Sequence, residues 1–171
     1  GKSLTNGLNP LSGFWARNPL ASPENWGPGS THSTFGSNPQ GMAAGLAAMD
    51  AAEAPGLADQ IRARGEHFLA GLRDLKRSHP VVGDVRGLGL ALGIELCGPD
   101  GFQPNADLAR AVRDRALLED MEDGHGIAGL VLDLGGYYKN VITLAPPLTI
   151  TDEEITWSVS ALDRILWELA L

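Results

Sequence analysis

The 171-residue chain is short of cysteine, of aromatic residues and of positive charge: it has one Cys, 6% Phe, Trp and Tyr, and 13 Lys and Arg against 21 Asp and Glu. A lone thiol, Cys97, cannot close an intrachain disulfide or build a cysteine-based metal cluster, and it fits a cytoplasmic setting. The net charge of -8 leaves no clustered cations to neutralise phosphates, so no nucleic acid partner is expected. No apolar run approaches the roughly 20 residues that span a bilayer, so no membrane partner is expected either. Residues 1–20 hold only Lys2 and Arg17 as cations and are broken by Gly7, Pro10 and Gly13, unlike a signal peptide. His32 and His125 have no second His or carboxylate at a metal-ligand spacing, and no metal site is expected. The sequence opens at Gly1, without methionine, inside what reads as functional sequence, which suggests processing or truncation.

What is present is a 43% apolar composition, enough for a core. Residues 1–37 are rich in Gly, Pro, Asn and Ser, yet carry Phe14, Trp15, Trp26 and Phe35, so elaborate loops held against a partner surface fit better than a solvated tail. Asn38 as N-cap and Pro39 at the first helical position predict a helix whose Ala- and Gly-rich sequence suits burial on most faces. After Pro55-Gly56, the spacing of Leu57, Ile61, Phe68, Leu72 and Leu75 predicts an amphipathic helix that ends before His79-Pro80. Residues 81–97 alternate Val, Leu and Ile with Gly, as closely packed or bent strands do. A helix over 105–120, with Leu108, Val112 and Leu117 on one side, precedes short strands at about 130–134 and 141–144. The capping box Thr151/Glu154 opens a terminal helix that buries Ile155, Val159, Leu162, Ile165 and Leu166. The layout is α/β or α+β, with its natural boundary at the Pro55-Gly56 break.

The opening GKS matches the end of a phosphate-binding loop, but that motif needs a helix directly after the lysine, and Gly7, Pro10 and Gly13 break one. A different pattern covers nearly the whole chain. GKSLTNGLNPLSGFWAR resembles the stretch around the Schiff-base lysine of class III aminotransferases. HSTFGSNPQGMAAGLAAMD is similar to that family's Thr-Phe/Tyr-Gly-x-Asn-Pro segment and the helix it opens. VRGLGLALGIEL resembles its strand pair, and LAPPLTITDEE its entry to the last helix. The four occur in the family's order.

The resemblance implies an α/β architecture. Residues 1–54 would be the end of a fold type I large domain that binds pyridoxal 5'-phosphate (PLP), and 55–171 the small C-terminal domain. It implies that Lys2 bonds the cofactor aldehyde and then serves as a mobile base, roles that need an amine. Thr34, with Ser33 assisting, would donate to the cofactor phosphate of a neighbouring subunit, which implies a homodimer. The reaction implied is transamination between an amine or amino acid and a 2-oxo acid, with an epimerase, a decarboxylase or a non-catalytic dimerisation module as alternatives. Arg86 is expected to brace a turn. Many family members place an Arg where this chain has Thr143, and Thr cannot replace a bidentate cation on a substrate carboxylate. The family's phosphate loop, ring-stacking aromatic and pyridinium Asp lie upstream of the lysine, and none is located here. The resemblance therefore implies that this stretch does not transaminate by itself.

Overall fold

A computed structural model describes residues 3–118 and 129–169 of the chain. The chain divides into two compact units, Gly1–Leu57 and Ala58–Leu171.

The first unit is a run of turns leading to one helix. A 3-10 turn, Ser3–Thr5, opens it. Thr5 is buried, and its hydroxyl donates to the Asn9 carbonyl at 2.5 Å, closing the loop between them. Phe14 and Trp26 stack with ring centroids 4.9 Å apart, and the Trp26 indole N–H donates to the Leu20 carbonyl. Helix α1, Pro39–Ala52, starts where Asn38 and Pro39 predict, with the Asn38 side chain accepting from the Gly41 N–H. Its burial is narrower than the sequence suggests. Only Gly41 and Gly45 are buried, because the loop at Pro10 and Leu11 covers one stripe of the helix, while Met42, Leu46 and Met49 stay exposed.

The second unit is a four-stranded antiparallel sheet with helices supplying the rest of one core. Helix α2 (Leu57–Ser78) leads into β1 (Val82–Leu88) and β2 (Ala91–Leu96), then α3 (Ala106–Leu118), β3 (Asp133–Gly135), β4 (Val141–Leu144) and α4 (Asp152–Leu169). The strand order is β1-β2-β4-β3. β1 and β2 form a hairpin in which Leu88 pairs with Ala91, and the intervening Gly89 takes φ +54°, as the tight primed turns need. One sheet face carries Val85, Leu92, Ile94, Ile142 and Leu144, all buried. They join Phe68, Leu72 and Leu75 of α2, Ala109, Val112 and Ala116 of α3, and Ile155, Leu162, Ile165 and Leu166 of α4 in one cluster. Each such Leu or Ile is worth about 1.5–3 kcal/mol of burial, so this cluster drives folding of the unit.

Two details differ from the sequence reading. The predicted strand at 130–134 pairs only from Asp133; before it, the Leu130 N–H donates to the Ala116 carbonyl of α3, and Leu130 to Leu132 have no ladder partner among the described residues. Leu117 is exposed, and Ala109 and Ala116 take the inner face of α3 in its place. The longest described helices are not apolar enough to cross a membrane.

Candidate cofactor-binding site

Lys2 lies outside the described residues, as does His125. Past Lys2 the chain makes the 3-10 turn and then runs as open loop, so the helix that a phosphate-binding GKS loop requires is missing over Ser3–Asn9.

Ser33 and Thr34 sit six and five residues before the first residue of α1, in a turn closed by the Gly36 N–H donating to the Ser33 carbonyl at 2.9 Å. A side chain at position 36 would put its Cβ 3.0 Å from that carbonyl oxygen, which makes glycine the fitting residue. Ser37 then takes φ +58° to turn the chain into the helix cap. Both Ser33 and Thr34 are exposed, and neither hydroxyl nor the Thr34 N–H has a hydrogen-bond partner among the described residues. Two exposed hydroxyls and a backbone donor are chemically suited to an anion such as a phosphate monoester. The donor set therefore fits the phosphate end of PLP.

Asn38 is half-buried between this turn and the loop around Pro10. Besides accepting from Gly41, its amide donates to the Phe35 carbonyl at 3.1 Å and, more weakly, to the Pro10 carbonyl at 3.5 Å. His32 is exposed.

In the second unit Arg86 braces the β1–β2 hairpin, as expected of it, donating to Asp84 at 2.8 Å and to Glu95 at 2.7 Å. The Arg86 guanidinium holds the Asp84 carboxyl below the usual carboxylate range, against a smaller opposing effect of burial. Thr143 is exposed on the outer sheet face, between Gly93 of β2 and Asp133 of β3. A groove of about 890 Å3 in this unit is lined mainly by Phe68, Leu132, Leu144, Ile150 and Trp157. Part of its wall is the LAPPLTITDEE segment, but Ser33, Thr34, Arg86 and Thr143 do not line it. Among the described residues no group of three or more His, Cys, Asp or Glu is arranged for a metal ion.

The family profile described as Aminotransferase class-III matches residues 1–166. The chain belongs to the class III aminotransferase family. It is 36% identical to a 5-aminovalerate aminotransferase of Pseudomonas aeruginosa over 144 residues, covering 84% of this chain and 32% of that protein. It is 33% identical to an ornithine aminotransferase of an Exiguobacterium species over 171 residues, covering 100% of this chain and 37% of that protein. Among solved structures, an aminotransferase of Bacillus anthracis superposes with a TM-score of 0.65 at 30% identity, covering 80% of this chain and 30% of that one. The chain thus spans about a third of the length of the curated relatives it matches, and its mixed α/β structure corresponds to part of a fold type I aminotransferase. The class III family is PLP-dependent.

Among the described residues, a buried histidine pairs with a carboxylate in a way the sequence reading does not anticipate. His79, 2% exposed, places Nε2 2.7 Å from Asp163 Oδ1 and packs edge-on against Trp167. A carboxylate only accepts, so Nε2 carries the proton. The partners are 84 residues apart, and no local pattern signals the pair.

Proposed function

We propose that the whole protein transfers an amino group between an amine or amino acid and a 2-oxo acid, with Lys2 as the residue that bonds PLP. The observation that carries this reading is the open Ser33-Thr34 turn ahead of α1, in the same chain as the GKS motif and in the family's order. When bound, PLP supplies an aldehyde for amines and a ring that accepts an electron pair. Lys2 Nζ would hold the cofactor at rest and, once freed, move a proton between the two reacting carbons. Thr34 Oγ1, the Thr34 N–H and Ser33 Oγ would take the phosphate. By the family pattern that phosphate belongs to the neighbouring subunit's cofactor, so the working unit would be a homodimer. Residues 55–171 would serve as the small domain.

Thr143 supports an amine or ω-amino acid as donor over an α-amino acid gripped by an arginine at that position. One relative is named for 5-aminovalerate, an ω-amino acid.

The test is made on the full-length protein. The expected result is a lysine-bound cofactor absorbance that Lys2→Ala abolishes, a borohydride-fixed adduct on Lys2 by mass spectrometry, and amino transfer to pyruvate or 2-oxoglutarate. An adduct on another lysine, or none, sinks the assignment of Lys2. Racemisation or CO2 release in place of transfer would move the protein to an epimerase or decarboxylase.

A further inference from the structure

The Ser33–Gly36 turn is held by few internal bonds. Its own hydrogen bond, Gly36 N–H to Ser33 carbonyl, closes the turn but does not aim it. Among the described residues, no side chain other than Asn38 hydrogen-bonds residues 33–37. That one side chain has three contacts with three different jobs. Its Oδ1 caps α1 through the Gly41 N–H at 2.6 Å, its Nδ2 donates to the Phe35 carbonyl inside the turn region, and the same Nδ2 reaches the Pro10 carbonyl. The backbone is shaped to admit this arrangement. A Cβ at position 41 would come within 2.8 Å of Asn38 Nδ2, 3.0 Å of Oδ1 and 3.1 Å of the Pro10 carbonyl oxygen. Gly41 is therefore what lets the Asn38 amide and the Pro10 loop both approach the first turn of the helix.

We propose that Asn38 is a positioning residue for the phosphate end of the cofactor, its amide N–H groups setting where the Ser33 and Thr34 hydroxyls stand relative to the start of α1. The proposal rests on the assignment of Ser33 and Thr34 made under Proposed function. Capping alone is a stability role that Ser or Gly fills almost as well as Asn. Positioning is different, since neither Ser nor Gly reaches the Phe35 and Pro10 carbonyls with an amide. Both replacements are neutral, so neither introduces a charge that would repel a phosphate.

The experiment compares two ligands in the full-length apoprotein: PLP, and pyridoxal, which has the same aldehyde and ring but no phosphate. Binding is read from the absorbance of the lysine adduct, and folding from the melting temperature of the apoprotein. Asn38→Ser is expected to lower the melt by no more than about a few degrees, to weaken PLP by about two- to tenfold, the worth of one ordinary hydrogen bond, and to leave pyridoxal affinity as it was. Asn38→Gly serves as the second variant and should show the same split. Unchanged PLP affinity in both variants, or equal losses for PLP and pyridoxal, overturns the proposal. Wild-type protein that binds both ligands equally has no phosphate seat, and that result overturns the Ser33 and Thr34 assignment along with this proposal.

Discussion

Gly65 offers a direct test of how α2 meets the sheet. It is buried in the middle of α2, facing the turn of the β1–β2 hairpin. An Ala there would place its Cβ 2.3 Å from the Gly89 carbonyl oxygen, 2.5 Å from its carbonyl carbon and 2.7 Å from its Cα. Two effects oppose each other. Gly→Ala in a helix interior gains about 1 kcal/mol of helix propensity. Against it stands overpacking, typically about 1–3 kcal/mol, and all three obstructing atoms are backbone, so no rotamer change relieves them. The turn cannot simply yield, because Gly89 already holds φ +54° to make the reversal. The upper end of the overpacking range therefore applies, and Gly65→Ala should lose about 2 kcal/mol net. Gly71 in the same helix is the control. There the obstruction is the Val159 side chain, with Cγ2 at 2.8 Å and Cγ1 at 3.2 Å and no backbone among the nearest atoms, so crowding costs less than at Gly65 and propensity offsets part of it. Urea titrations of both variants, followed by far-UV circular dichroism, should place Gly65→Ala at least about 1 kcal/mol below Gly71→Ala. A Gly65→Ala variant as stable as the parent would refute the close approach of α2 to the hairpin turn.

Two further outcomes concern the ends and edges of the second unit. At the start of α4 the Thr151 hydroxyl accepts from the Glu154 N–H at 3.2 Å while Glu154 accepts from the Thr151 N–H at 2.8 Å. Thr151→Ala should cost about 1 kcal/mol and Thr151→Ser should recover most of it, both read from the urea midpoint; equal losses would show that the hydroxyl is idle. On the outer sheet face, the folded-state pKa of Asp84 is depressed, chiefly by its hydrogen bond to Arg86. A depressed carboxylate contributes stability above its unfolded value, near pH 4, and loses it as pH falls through the folded value. Because Asp84 is about half exposed, the contribution is discounted to a few tenths of a kcal/mol. Asp84→Asn should lose that amount at pH 6 and nothing at pH 2, and a gap of equal size at both would rule out the ion pair as its source.

Much of this structure was legible from local chemistry. Asn38 and Pro39 set the start of α1 to the residue, and the Thr151/Glu154 box did the same for α4. The three- and four-residue spacing found Phe68, Leu72 and Leu75 on the buried face of α2. Periodicity served less well where small residues do the packing, which is why Ala109 and Ala116 were passed over for Leu117. The strand near 130 begins three residues later than its Leu and Val side chains suggest, because the ladder depends on where β4 lies. Burial of α1 was over-read for a related reason. A helix with Asp50 as its one charged residue can be buried on most faces, but what covers those faces is a tertiary matter. At the candidate site, the sequence pointed to Ser33 and Thr34 through a family pattern and to Asn38 as a cap. It held no hint that the Asn38 amide also ties the turn to the Pro10 loop, since those partners are 28 residues apart. The His79–Asp163 pair was hidden for the same reason.

The alternation along β4 also bears on how such a protein can change over generations. Ile142 and Leu144 point into the core, and Thr143 between them points out. Its cross-strand neighbour on β2 is Gly93, while on β3 it faces Asp133 directly and Gly135 diagonally. The bare Gly93 leaves headroom on the β2 side of position 143, and a residue on that face can be exchanged without disturbing the packing beneath it. A lineage could therefore sample small, polar or long cationic residues at 143 while the fold stays intact. Exchange at 143 and the packing carried by Ile142 and Leu144 would then vary independently, although they sit on adjacent residues of one strand.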